Sequence, residues 1–114
     1  MDCIFCKIIA GELQGDVVYR DSEVIVLKDI HPQAPVHLLI MPTAHFEGIK
    51  DFAEHDGHLL GKMMRIADRV AHEQGLTKGY RLIINEGEDG GKLVPHLHIH
   101  LLGGRHLGPK IVSE

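Results

Sequence analysis

Apolar and polar positions alternate with changing period along this chain, and each change of period marks an element. Ile4, Phe5, Ile8 and Ile9 recur at helical spacing with Gly11 placed to stop them, which predicts a short helix or turn over Cys3 to Ile9. Val17-Val18-Tyr19-Arg20 and Val24-Ile25-Val26-Leu27 are β-rich runs around Asp21-Ser22-Glu23 and read as a hairpin. The prolines of Ile30-His31-Pro32-Gln33-Ala34-Pro35 have no backbone donor, so this stretch is a shaped loop and not a central strand. His37-Leu38-Leu39-Ile40-Met41 returns to strand, closed by Pro42. From about Phe46 to Gln74 the period becomes helical: Leu59, Leu60, Met63, Ala67, Val70 and Ala71 form an apolar stripe, and Gly75 caps it. Met63 and Met64 are assigned to packing, and Arg65, Asp68, Arg69, His72 and Glu73 to a solvated face. Tyr80-Arg81-Leu82-Ile83-Ile84-Asn85 is the next strand, and the stretch from Gly103 onward reads as an irregular tail.

The last strand carries the sharpest pattern, His96-Leu97-His98-Ile99-His100-Leu101-Leu102. In extended backbone successive side chains point to opposite faces, so the three histidines share one face and Leu97, Ile99 and Leu101 the other. At ~3.3 Å per residue the outer two start roughly 13 Å apart, too far for all three to close on one ion with ~2 Å bonds. The pattern points to an imidazole row serving an elongated ligand. Feeding into it is Glu86-Gly87-Glu88-Asp89-Gly90-Gly91-Lys92, whose glycines permit close backbone approach and expose amide donors, as an anion loop requires. His37 begins a strand placed to lie beside the row. Five strands and one long helix make the class α+β with a mostly antiparallel sheet.

Composition narrows the picture. At 114 residues the chain suits one domain, and no apolar run approaches the ~20 residues of a membrane helix. Met1-Asp2-Cys3 offers no basic and apolar leader, so a cytoplasmic protein is expected. A net charge of −4 with interspersed signs disfavours nonspecific nucleic-acid binding. Cys3-x-x-Cys6 is open to three readings: half of a zinc site, two inert thiols, or a redox dithiol. Zinc ranks first because the chain is rich in histidine, and redox last because a thioredoxin-like motif should follow a strand.

Four stretches together carry a resemblance: Ile4-Phe5-Cys6-Lys7-Ile8, Asp29-Ile30-His31-Pro32-Gln33-Ala34-Pro35-Val36-His37, Asn85-Glu86-Gly87 with Asp89-Gly90-Gly91, and the histidine stretch through Gly103-Gly104-Arg105. On these the chain resembles the histidine-triad (HIT) superfamily, specifically the bacterial type of its Hint branch. The resemblance implies a single HIT domain over residues 1–114, with a five-stranded sheet, one long helix and a short N-terminal helix. It implies a homodimer formed through the long helix and the neighbouring sheet edge. It also implies a hydrolase of purine nucleoside 5′-phosphoramidates, working through a nucleotidyl-histidine intermediate. Carried to this chain, His98 is the nucleophile, and His100 with the amides near Gly91 holds phosphoryl oxygens. His37 and His96 relay a proton to the leaving amine. Asn85 contacts the ribose or phosphate side, Asp29 binds ribose hydroxyls, and Ile4, Phe5, Leu27 and Ile30 sandwich the base. An unprotonated imidazole is nucleophilic at neutral pH, so the attack itself needs no metal.

Similar bacterial members hold a structural zinc through residues that correspond to Cys3, Cys6, His45 and His96; two thiolates and two imidazoles make a closed tetrahedral site. Two departures stand out. Lys92 and Leu93 occupy positions where the family commonly has Gln and then Ser or Thr, so a hydroxyl near the leaving group is missing and Lys92 becomes a candidate cation near the phosphate. The tail also lacks the Trp-containing end of animal Hint proteins. Two further functions use the same residues: a dinucleoside polyphosphate hydrolase or nucleotidyl transferase, and a zinc-stabilised nucleotide-binding protein with negligible turnover.

Overall fold

A computed structural model describes residues 3–109, and Met1, Asp2 and the expected tail beyond Pro109 lie outside it. The elements are α1 (Ile4–Ile9), β1 (Val17–Arg20), β2 (Val24–Lys28), β3 (Val36–Pro42), α2 (Gly57–Glu73), β4 (Tyr80–Ile84) and β5 (Ile99–Gly103). The strands form one antiparallel sheet in the order β1-β2-β3-β5-β4, with β5 inserted between β3 and β4.

The hairpin is fixed by one carboxylate. Asp21 Oδ1 accepts the amides of Glu23 and Val24, both at 2.8 Å, and Oδ2 accepts the Tyr19 hydroxyl at 2.6 Å. Burial works to raise the Asp21 pKa, but these three bonds and Lys62 outweigh it and hold the group well below the usual carboxylate range.

The sheet has two apolar faces. On one, Leu97, Ile99 and Leu101 join Val24, Val26, Leu38 and Ile40 beneath α2, which contributes Leu59, Met63, Ile66, Ala67, Val70 and Ala71. On the other, α1 lays Cys3 and Phe5 over Ile25, Leu27, Leu39 and Met41. α1 covers only this part of the second face. The rest, where β3, β5 and β4 run side by side, forms an open groove.

Several boundaries differ from the sequence reading. The long helix begins at Gly57; before it stand two 3₁₀ turns, Ile49–Asp51 and Glu54–Asp56. Phe46, Ile49 and Phe52 recur every third residue, the 3₁₀ period, and the two phenyl rings pack edge-to-face at 4.6 Å. In the stripe Ile66 is buried and Leu60 only half-buried, while Met64, expected in the core, is 43% exposed. Pro42 is the last residue of β3, and Gly103 ends β5 instead of opening the tail. No helix among the described residues is long and apolar enough to cross a membrane.

Candidate active site and metal centre

The paired strand begins at Ile99, so His96 and His98 precede it. Their backbone is occupied elsewhere: the His96 amide donates to the Val94 carbonyl at 2.8 Å, and the Leu97 amide to the Phe46 carbonyl at 2.7 Å. The alternation still holds. Leu97, Ile99 and Leu101 are fully buried on the α2 side, and the three imidazoles lie on the other.

His98 has its proton assigned by geometry. Nδ1 lies 2.6 Å from the His96 carbonyl oxygen, which only accepts, so Nδ1 carries the hydrogen and Nε2 is left with a free lone pair. Phe5 packs edge-on against the ring, with centroids 5.2 Å apart. Burial lowers the His98 pKa and Lys92 adds to this against the bond to His96, so the ring stays neutral at neutral pH.

Register brings the other imidazoles together. Leu39 and Ile83 flank His100, and His37 pairs with Leu102 one step along. The Gln33 amide donates to His37 Nδ1 at 3.0 Å, so neutral His37 carries its proton on Nε2. That N–H faces His100 Nδ1 at 2.9 Å and Asp29 Oδ2 at 3.3 Å. His100 Nδ1 therefore accepts, and its Nε2–H is free to donate toward a ligand. Burial, then His98 and His37, push the His100 pKa down to about 4; burial also lowers that of His37, against the pull of Asp29. Asp29, His37 and His100 are close enough to suggest a metal triad. A metal on His37 Nε2 would require an imidazolate, because Nδ1 already accepts an amide hydrogen. The cluster is a hydrogen-bonded chain that runs from the Gln33 amide through His37 to His100, with Asp29 beside His37.

A cavity of about 430 Å³ opens on this groove, with His37, His100, Asn85 and Ile83 in its wall and Arg81 and Arg105 at its margin. Asn85 Nδ2 donates to the Gly90 carbonyl at 2.7 Å and braces the glycine loop. Gly91 has φ +78°, and a Cβ at Gly90 would lie 2.1 Å from the Glu86 carbonyl oxygen, so both glycines are required. Of the expected base-contacting residues, Ile4 and Ile30 are exposed, at 43% and 78%, whereas Phe5 of α1 is buried against the sheet together with Leu27. The Lys92 ammonium is held by the Glu47 carbonyl and by Glu86 Oε1 at 3.1 Å. Leu93 is 93% exposed. Gln33, Glu86 and Arg105 stand in the motifs read from the sequence but carry no role there, and Arg81 reads only as part of a strand. Gln33 acts through its backbone amide, which no side-chain pattern reveals.

His96 turns away from the groove. Its Nε2–H donates to the Pro42 carbonyl at 2.9 Å, so Nδ1 presents a lone pair. This nitrogen lies 3.4 Å from Cys3 Sγ, 3.5 Å from Cys6 Sγ and 3.2 Å from His45 Nδ1, and Cys6 Sγ lies 3.1 Å from His45 Nδ1. Tetrahedral Zn²⁺ with ~2.3 Å sulfur and ~2.1 Å nitrogen bonds has ligand edges of about 3.4–3.8 Å, a few tenths of an ångström wider than most of these separations. The donor set has the size and chemistry for one metal ion. Burial and neighbouring Cys3 push the Cys6 thiol up to about 11, so in the absence of a cation it stays protonated. With both ring nitrogens of His96 engaged, the proton relay expected of it has no free atom. Its carbonyl, on His98, is its link to the row.

Fold and site together define a class: a small α+β protein that sets His37 and His100 in an open sheet groove, with a tautomer-fixed His98 packed beside His100. The class has a family. The HIT domain model matches residues 10–107, and the chain belongs to the HIT family. It is 43% identical over 114 residues to the purine nucleoside phosphoramidase of Escherichia coli K12, covering 99% of this chain and 96% of that one. It is 47% identical over 102 residues to protein HitA of Neisseria gonorrhoeae, covering 90% and 95%. A HIT family hydrolase from Clostridium thermocellum superposes with a TM-score of 0.93 at 47% identity, with 97% of each chain covered. This chain is accordingly a hydrolase.

Proposed function

We propose that the protein hydrolyses purine nucleoside 5′-phosphoramidates through a nucleotidyl intermediate on His98. The observation that carries this is the 2.6 Å bond from His98 Nδ1 to the His96 carbonyl, which leaves Nε2 as an unprotonated nucleophile. Nε2 attacks the α-phosphorus, the P–N bond breaks, and the leaving amine takes a proton that the His37–His100 pair passes on from solvent, so that both rings end neutral. Water then cleaves the N–P bond, its oxygen going to phosphorus and one proton returning to solvent, which releases the nucleoside monophosphate and restores the imidazole. The His100 Nε2–H and the amides near Gly91 stabilise charge on the phosphoryl oxygens. Asp29, held by His37 and by the His31 amide at 2.8 Å, retains lone pairs for ribose hydroxyls, and the exposed Ile4 and Ile30 supply apolar contact to the base.

Zinc is the metal in this proposal, held by Cys3, Cys6, His45 and His96 in a closed structural site, and the chemistry runs without it. A homodimer is part of the same reading. Among the described residues β4 is an edge strand with no partner on its outer side, and Met64 on α2 is exposed, which supports a second copy as the covering surface. Its compartment is the cytoplasm, where Cys3 and Cys6 stay reduced.

A dinucleoside polyphosphate hydrolase is the second reading, favoured by Arg81 and Arg105 at the same cavity. Steady-state rates on an adenosine phosphoramidate and a diadenosine polyphosphate decide. The proposal predicts kcat/KM at least about tenfold higher for the phosphoramidate. The reverse order supports the second reading, and tight AMP binding with no turnover of either supports a binding protein.

A further inference from the structure

The glycine loop is tied to the segment that carries His45. The Lys92 side chain is only 12% exposed, and its ammonium donates to the Glu47 carbonyl and to Glu86 Oε1. The other Glu86 oxygen accepts the Ile49 amide at 3.0 Å. Between them lies buried Gly48, whose added Cβ would sit 2.6 Å from the Glu86 carboxylate; its φ of −162° is open to any residue, so a side chain there would have to displace only that carboxylate. The Phe46 carbonyl, in the same segment, accepts the Leu97 amide between His96 and His98. One short segment therefore anchors the end of the loop and the start of the histidine row.

We infer that Glu86 and Lys92 are positioning residues: they latch the 86–92 loop to residues 45–49 and keep the Gly91 amides in register with His98, and Lys92 does not bind the phosphate. The choice of ligand below rests on the nucleotide reading of the site. Calorimetric titration of AMP, with hydrogen exchange at the Gly91 and Lys92 amides, tests the latch in Glu86→Gln, Lys92→Met, Lys92→Arg and the double variant. Each of Glu86→Gln and Lys92→Met is expected to weaken AMP about fivefold, on the scale of one charge-assisted bond. The double variant is expected to be no weaker than either single variant, with Lys92→Arg near wild type. Exchange at the two amides is expected to speed up by a similar factor without any ligand, an effect that stands even if wild type fails to bind AMP and the nucleotide reading falls. If the ammonium served the phosphate, removing its carboxylate partner would free it. Tighter AMP binding by Glu86→Gln, or unchanged amide exchange in both single variants, overturns the latch.

Discussion

The position of a single proton decides what each histidine of the site can do. His98 is fixed by the His96 carbonyl, His37 by the Gln33 amide, and His100 by His37. The result is one free lone pair beside one free N–H donor, which a nucleophile and an oxyanion donor require. Burial lowers the pKa of all three, so they remain neutral below the ~6.5 of a free imidazole. A group whose charged form is disfavoured protonates only at lower pH, so the acid limb of kcat/KM is expected to have its midpoint below 6.5. A midpoint at or above 6.5 in a pH series contradicts this electrostatic picture. The alternation of the row was legible because period 2 survives in any extended backbone. The fate of Lys92 was not, since Glu86 and Glu47 meet it across a turn and across 45 residues, a distance no local pattern encodes.

Most elements could be read because their apolar periods are distinct, and the errors occur where two periods coincide. An i+3 spacing belongs both to an α-helix and to a 3₁₀ turn, so Phe46, Ile49 and Phe52 look continuous with the stripe of α2, although that helix starts at Gly57. Met64 reads as core because it neighbours Met63, but adjacent residues on a helix are about 100° apart. The final strand starts late for another reason. Pro95 has no amide hydrogen, and the amides of His96 and Leu97 are taken by Val94 and Phe46, so pairing begins at Ile99.

At the level of the whole molecule, sheet order makes the site. Inserting β5 between β3 and β4 sets His100 beside His37, and α1 crossing the same face brings Cys3 and Cys6 to His96. Neither juxtaposition is visible in the alternating sequence without a topology, and the HIT resemblance supplied it. A metal on Cys3, Cys6, His45 and His96 would join α1, the segment after β3 and the histidine row into one unit. Stripping metal with a chelator is expected to lower the Tm by more than about 5 °C, with no such response in a Cys3→Ser, Cys6→Ser double variant. An unchanged wild-type Tm removes the metal from the account. The central claim is tested most directly by intact mass spectrometry of the protein mixed with adenosine 5′-phosphoramidate and quenched in the pre-steady state. The account predicts an adenylylated species that maps to His98 and is absent from His98→Ala. The same adduct on His98→Ala, or undiminished turnover by that variant, contradicts it.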